Sequence, residues 1–190
     1  MVKFFSRYLY SVVRLVLYDY DLKAEIIQIP ARIDTRYDRI AADTPEKHAD
    51  LSSLYPGNVL KQRFARGEEC FVAYASDMVV AYGWTSYREV EIGEINKLMH
   101  VKPDEVYLYD FYTRPEYRGN NLYPAVLSHI LRFLAEGGFR LALIFVLIEN
   151  LTSRRGVTKA GFRRFQIVSC ITLFGCRFYI DRARFFTKTR

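Results

Sequence analysis

The stretch Tyr107-Leu-Tyr-Asp-Phe-Tyr-Thr-Arg-Pro-Glu-Tyr-Arg-Gly-Asn-Asn-Leu-Tyr-Pro-Ala-Val-Leu127 constrains the fold more than any other part of the chain. An aromatic, strand-like run ends at Pro115. A tight basic turn carrying Gly119, Asn120 and Asn121 follows, and an apolar-periodic helix then begins with Pro124 in its first turn. A strand that feeds a helix through such a turn points several backbone N–H groups outward at a helix N-terminus. That is an anion site suited to a phosphate or pyrophosphate.

The remaining pattern places this unit in a single sheet-based domain. Glu25–Ile29 and Arg32–Ala41 read as strand-like, residues 42–47 as a loop opening a short helical stretch, and Tyr55-Pro-Gly-Asn as a turn before helical residues 59–66. Glu69–Ala75 and Val79–Tyr87 are β-prone runs joined by a hairpin at Ser76-Asp77. Residues 88–104 are polar and poorly patterned and read as loop with a possible strand end. Val106–Thr113 is a strand and Leu122–Glu136 a helix stopped by Gly137-Gly138. Arg140–Ile148 is a continuous apolar run, as in a strand buried on both faces. Ser153–Lys159 is a short helix closed by Gly161, and 165–174 and 177–180 are strands before a basic tail. The expected fold class is α+β, an α/β sandwich with one mixed, mostly antiparallel sheet flanked by helices.

The N-terminus reads as an appendage. In residues 1–18, Phe5, Leu9, Val12, Val13, Val16 and Leu17 share one helical face, with Lys3, Arg7 and Arg14 mostly off it. The expectation is an amphipathic helix over residues 1–24, ahead of a domain spanning 25–190. Such a helix packs on the body of the protein or on a second copy, or lies on a membrane surface. Charges interrupt the apolar region and no small-residue cleavage site follows, so it does not read as a signal peptide.

Composition narrows the class further. A 51% hydrophobic content over 190 residues is enough for one core. The net charge of +7 fits an anionic ligand or surface. The basic residues are dispersed rather than clustered on one element, which argues against nucleic acid. Cys70, Cys170 and Cys176 are odd in number and lie in apolar runs; with His48, His100 and His129 scattered, neither a disulfide framework nor a metal-ligand spacing emerges. Buried thiols point to a reducing cytoplasm, and no apolar run reaches the ~18 residues of a membrane span.

Two segments together resemble the acyl-CoA-binding signature of the GNAT acyltransferase superfamily. Asp110-Phe-Tyr-Thr113-Arg-Pro115 and Glu116-Tyr-Arg118-Gly119 sit in register with its strand and turn. Asn150, Ser153 and Ala160-Gly161-Phe162 are similar to its second segment. The resemblance implies that main-chain groups of Phe111, Tyr112 and Thr113 hold the thioester and pantetheine. It implies that Arg118, Gly119, Asn120, Asn121, Leu122, Tyr123 and Pro124 wrap the pyrophosphate, and that Asn150, with Ser153, contacts the cofactor arm. The strands ending at Thr113 and near Ile148 would splay apart to admit an amide-rich chain. Asn121 and Tyr123 stand where the family has glycines; Asn tolerates a left-handed turn better than other non-glycine residues.

The family's usual proton-handling positions hold Val157, Phe145, Tyr107 and Tyr109 here. Asp110, set among Tyr107, Tyr109, Phe111 and Tyr112, is therefore the candidate base or amine anchor. Tyr109 and Tyr112 are candidate proton donors to the leaving thiolate, and Glu94 and His100 candidate substrate contacts at the mouth. The expected activity is transfer from acetyl-CoA, or another acyl-CoA, to a primary amine of a small molecule, amino sugar or peptide. The rival expectations are a CoA- or nucleotide-binding module without turnover and a membrane- or partner-tethered acyltransferase of surface-glycan biosynthesis. A homodimer and a peripheral membrane contact through residues 1–18 are both compatible with the pattern.

Overall fold

The computed structural model describes residues 10–181. Its strands are β1 (Tyr10–Asp21), β2 (Arg36–Ile40), β3 (Glu69–Ala75), β4 (Met78–Ser86), β5 (Glu89–Ile92), β6 (Lys97–His100), β7 (Glu105–Thr113), β8 (Leu141–Leu147), β9 (Arg163–Leu173) and β10 (Cys176–Asp181). Its α-helices are α1 (His48–Ser52), α2 (Gly57–Ala65), α3 (Leu122–Glu136) and α4 (Leu151–Lys159). Eight strands form one sheet in the order β10-β9-β1-β8-β7-β4-β3-β2, and β5 and β6 pair as a separate hairpin. Every pair in the large sheet is antiparallel except β7 with β8.

Both faces of the middle strands are covered, which is why they read as unbroken apolar runs. Along β3, Phe71 and Ala73 join α3 residues such as Val126 and Ile130 in the main core. Their neighbours Cys70, Val72 and Tyr74 face the other way and pack with Leu51, Leu60 and Phe64 from α1 and α2, around the fully buried Trp84. The hairpin at Ser76-Asp77 has positive φ at both residues, as a two-residue turn with the twist of its strands requires. Helix α3 keeps the bounds expected from its pattern and ends before Gly138 at φ +78°.

Three expectations are corrected. Residues 10–21 are a strand, not a helix, and no appendage: β1 lies inside the sheet, between β8 and β9. The run from Val12 to Tyr20 is apolar nearly throughout, so it satisfies helical and strand periods alike. Burial on both faces decides. Val16, Tyr18 and Tyr20 enter the main core, while Leu15 and Leu17 enter a third cluster. Valine and tyrosine also favour the pleated sheet. Residues 1–9 of the expected helix, and the basic tail 182–190, lie outside the described residues. The second correction concerns residues 88–104. They hold the β5–β6 hairpin, whose Ile92 and Ile95 pack on Leu15, Leu17, Val168 and Cys170. Residues 25–29 form no strand, and of 32–41 only Arg36–Ile40 does.

His129 links this packing to pH. It is half-buried on α3 and stacked on Tyr37, with ring centroids 5.2 Å apart. Burial first, and then the Arg132 charge, hold its pKa below the ordinary 6.5, against weaker opposing pulls from Asp38 and Glu136. The folded chain therefore binds this proton less readily than the unfolded chain. Its contribution to stability is complete above pH 6.5 and is lost as pH falls through and below that value. Thermal unfolding followed between pH 7.5 and 5.5 is expected to show a falling Tm, with the slope over that interval reduced in His129→Phe; an unchanged slope would contradict it.

Candidate active site

β7 and β8 run parallel and pair only from Glu105↔Leu141 to Leu108↔Ile144. Beyond that point β7 pairs only with β4 and β8 only with β1, so the two strands part. The gap opens toward the first turns of α3 and α4. Between them lies a cavity of about 620 Å³ lined by Phe111, Tyr112 and Thr113 from β7 and by Tyr117, Arg118, Gly119, Asn121, Leu122, Tyr123 and Pro124 from the turn into α3. Asn150, Thr152, Ser153, Arg155, Gly156 and Lys159 of the α4 segment complete it.

The turn into α3 presents unengaged backbone donors beside cationic side chains. Gly119 has φ +84° and Asn121 φ +57°, so Asn121 takes the left-handed conformation in which glycine would be easiest. Lys159 Nζ donates to Asn121 Oδ1 at 2.8 Å. Among the described residues, the five consecutive backbone N–H groups from Gly119 to Tyr123 donate to no protein acceptor. They stand at the positive end of a fifteen-residue helix, beside Arg118, Arg155 and Lys159. Arg32 supports the turn from behind, with its N–H donating to Asn120 O at 2.9 Å.

Two glycines make room for the aromatic walls. β7 carries a bulge at Asp110-Phe111 opposite Gly83, with Asp110 at φ +50°. A Cβ on Gly83 would meet Phe111 Cε1 at 2.1 Å, so the Phe111 ring sits directly on the glycine. Tyr123 packs against Phe111, with centroids 5.1 Å apart, and crosses to α4, where a Cβ on Gly156 would lie 2.5 Å from Tyr123 Cδ1. The Tyr123 hydroxyl accepts from Ser153 Oγ at 3.2 Å. Burial pushes its pKa far up, so it stays protonated as a hydrogen-bond donor.

The expected site residues divide. Phe111, Tyr112, Thr113, Arg118, Gly119, Asn121, Leu122, Tyr123, Pro124, Asn150 and Ser153 all line the cavity. Asn120 does not; its Nδ2 donates to Tyr117 O inside the turn. Asn150 Oδ1 accepts from Ser153 N–H as the N-cap of α4, which leaves its amide nitrogen for other partners.

Asp110 lies one residue before the cavity wall but turns to the α2 side. Its Oδ2 accepts from the Tyr55 hydroxyl at 2.7 Å and pairs with Arg63 Nη1 at 2.7 Å. Its side chain is 34% exposed. Arg63, 15% exposed, lies over the rings of Tyr55, Trp84 and Tyr109. Tyr109 is not brought to the cavity. Its hydroxyl donates to the buried Glu68 at 2.6 Å, and burial with that carboxylate pushes its pKa up. Tyr112 is exposed and stacks on Tyr82 at 5.5 Å. His100 lines a separate surface cavity with Tyr87, Arg88, Val101 and Pro103, away from the slot. Glu94 lies in the β5–β6 turn, where its charge is felt by the buried Tyr107.

Sequence reasoning missed Gly83, Gly156, Tyr55 and Arg63. A glycine inside a β-prone run signals a close backbone approach, so Gly83 was detectable. Gly156, Tyr55 and Arg63 meet their partners only through the tertiary fold.

A mixed sheet whose two central parallel strands part over the N-terminus of α3 defines an α+β fold with a slot at the strand ends. The acetyltransferase (GNAT) family model matches residues 34–162, and the chain belongs to that family. Among solved structures it resembles a GCN5-related N-acetyltransferase from Sphaerobacter thermophilus, at TM-score 0.59 and 12% identity over 96% of this chain and 56% of that one. A GNAT-family protein from Novosphingobium aromaticivorans matches at TM-score 0.58 and 15% identity, over 85% of this chain and 64% of that one. The aminoglycoside N-acetyltransferase AAC(6')-Iy, solved with a bisubstrate analogue of CoA and acetylneamine, matches at 0.50 and 18%, over 69% and 92%. At these identities the likeness is one of fold. The chain spans less than two thirds of the length of several of these structures. Comparison with curated proteins gives no match.

Proposed function

We propose that the chain is an acyl-CoA-dependent N-acyltransferase, with acetyl-CoA the expected donor and a primary amine the acceptor. The observation that carries this reading is the row of five unengaged N–H groups from Gly119 to Tyr123, set among Arg118, Arg155 and Lys159 at the mouth of the parted strands. A pyrophosphate needs such donors, and an amide-rich arm can pair with the free edges of β7 and β8. The residues present fit the cofactor; when bound, it supplies an activated thioester.

In this reading main-chain groups of Phe111, Tyr112 and Thr113 orient the thioester carbonyl, and Asn150 and Ser153 position the arm. Asp110 anchors the acceptor amine through its exposed edge, while Tyr55 and Arg63 fix the carboxylate. The amine nitrogen attacks the carbonyl carbon; the C–N bond forms, the C–S bond breaks, and the amine proton passes to solvent or to the departing sulfur. The Tyr123 hydroxyl, itself held by Ser153, donates a hydrogen bond to that sulfur as charge develops on it.

Calorimetric titration with acetyl-CoA, with CoA and ATP as controls, tests the donor site, and thiol release with a panel of amines tests transfer. Micromolar binding selective for the CoA species is expected; no binding, or binding without thiol release from any amine, would refute the corresponding half. Tyr123→Phe is expected to lower kcat about 10- to 100-fold while leaving acetyl-CoA affinity unchanged, the size of one hydrogen bond to a charged group. An unaltered kcat would remove Tyr123 from the chemistry.

A further inference from the structure

Among the described residues, the outer strands β1, β9 and β10 have nothing packed on one sheet face. The register aligns Tyr10 with Leu173, and Val12 with Ile171 and Phe178, with Ile180 following on the edge strand. Further along, the same face is covered where Val16 enters the main core, and the opposite face is covered by the β5–β6 hairpin. Tyr10, Val12, Leu173, Phe178 and Ile180 are all exposed. At the tip of the β9–β10 hairpin, Phe174 is 73% exposed and sits at φ +48°, followed by Gly175 at +81°. A two-residue turn of this kind ordinarily takes Asn or Gly at the first position. A bulky ring held in the left-handed region and aimed at solvent points to a contact outside the chain.

Charge selects the partner. The nine positions of this face are 10, 12 and 14 on β1, 169, 171 and 173 on β9, and 176, 178 and 180 on β10. None is acidic, position 14 is the exposed Arg14, and the whole chain carries +7. A second copy docked here would bring like charges together, whereas an anionic surface would complement them. Contiguous apolar side chains beside cations match the interface of a bilayer rich in acidic lipid. We infer that this face docks on an anionic lipid bilayer, with Phe174 and Phe178 entering the headgroup region and Arg14 meeting lipid phosphates. No described helix is long and apolar enough to cross a membrane. The inference is independent of the acyl-transfer reading.

Cosedimentation of the full chain with phosphatidylcholine vesicles, with and without phosphatidylglycerol, at low and high salt, tests this. Binding to the anionic vesicles that weakens with salt is expected. Phe174→Asn and Phe178→Ser should each reduce it about tenfold, and Arg14→Gln about fivefold. Asn suits the turn at 174, so that variant keeps its fold even if Phe178→Ser does not; circular dichroism verifies this. Failure to bind anionic vesicles would overturn the proposal, as would binding unaffected by Phe174→Asn and Arg14→Gln. Light scattering that shows a dimer dissociated by Phe174→Asn would assign the face to a second copy instead.

Discussion

Gly156→Val is expected to weaken acetyl-CoA binding by roughly five- to hundredfold while the chain remains folded. The new side chain cannot coexist with the present Tyr123 ring, because even a Cβ would lie 2.5 Å from Cδ1 and 2.8 Å from Cε1. The ring is confined by Phe111 on the other side, so the free direction is into the 620 Å³ slot. Overpacking of this kind costs about 1–3 kcal/mol, which is the stated range in Kd. Helix α4 is not weakened, since valine is a better helix former than glycine. The decisive experiment is a double-mutant cycle. Tyr123→Ala removes the obstructing ring, so Gly156→Val added to it should have almost no further effect on Kd. Additive losses in calorimetry would mean that Tyr123 and Gly156 do not meet at the working slot.

Asp110→Ala is expected to destabilise the chain by about 2 kcal/mol and lower Tm by roughly 4–8 °C. Removing the carboxylate leaves Arg63 among Tyr55, Trp84 and Tyr109 without its counter-charge. A fully buried pair broken this way loses about 3–5 kcal/mol; the partial exposure of Asp110 justifies the smaller figure. Asp110→Asn combined with Arg63→Met removes both charges and should recover most of the loss. Activity separates the two roles of Asp110. If it anchors the acceptor, Asp110→Asn raises KM for the amine by about tenfold or more with acetyl-CoA affinity unchanged. Steady-state kinetics at a temperature well below Tm would show this, and an unchanged KM would leave Asp110 as a strut between β7 and α2.

The residues that line the slot were legible because they are local. A strand, a turn and a helix N-terminus adjoin in sequence from Tyr107 to Leu127, so chain order alone placed Phe111, Thr113, Arg118, Gly119 and Asn121 around one point, as the cavity does. The parting of the strands near Thr113 and Ile148 was expected from the family resemblance, not from the helical connection between β7 and β8, which predicts only that they run parallel. The surroundings of Asp110 were not legible. Asp110 meets Tyr55 and Arg63 across intervals of 55 and 47 residues, and the positive φ at Asp110 that turns it toward α2 comes from the bulge opposite Gly83.

β1 marks the boundary most clearly. Its sequence required only that most of residues 15–20 be buried; an apolar run over 12–20 fits a helix or a strand equally well. The tertiary structure chose the strand because β8 and β9 each presented an open edge, and an unpaired N–H or C=O inside the fold costs more than any difference in local propensity. The sequence by itself determined the main turns, such as Ser76-Asp77 and Gly119–Asn121, and the apolar runs from which the core is drawn. Which strands become neighbours, which glycine faces which ring and which cation meets Asp110 were decided by packing at long sequence separation.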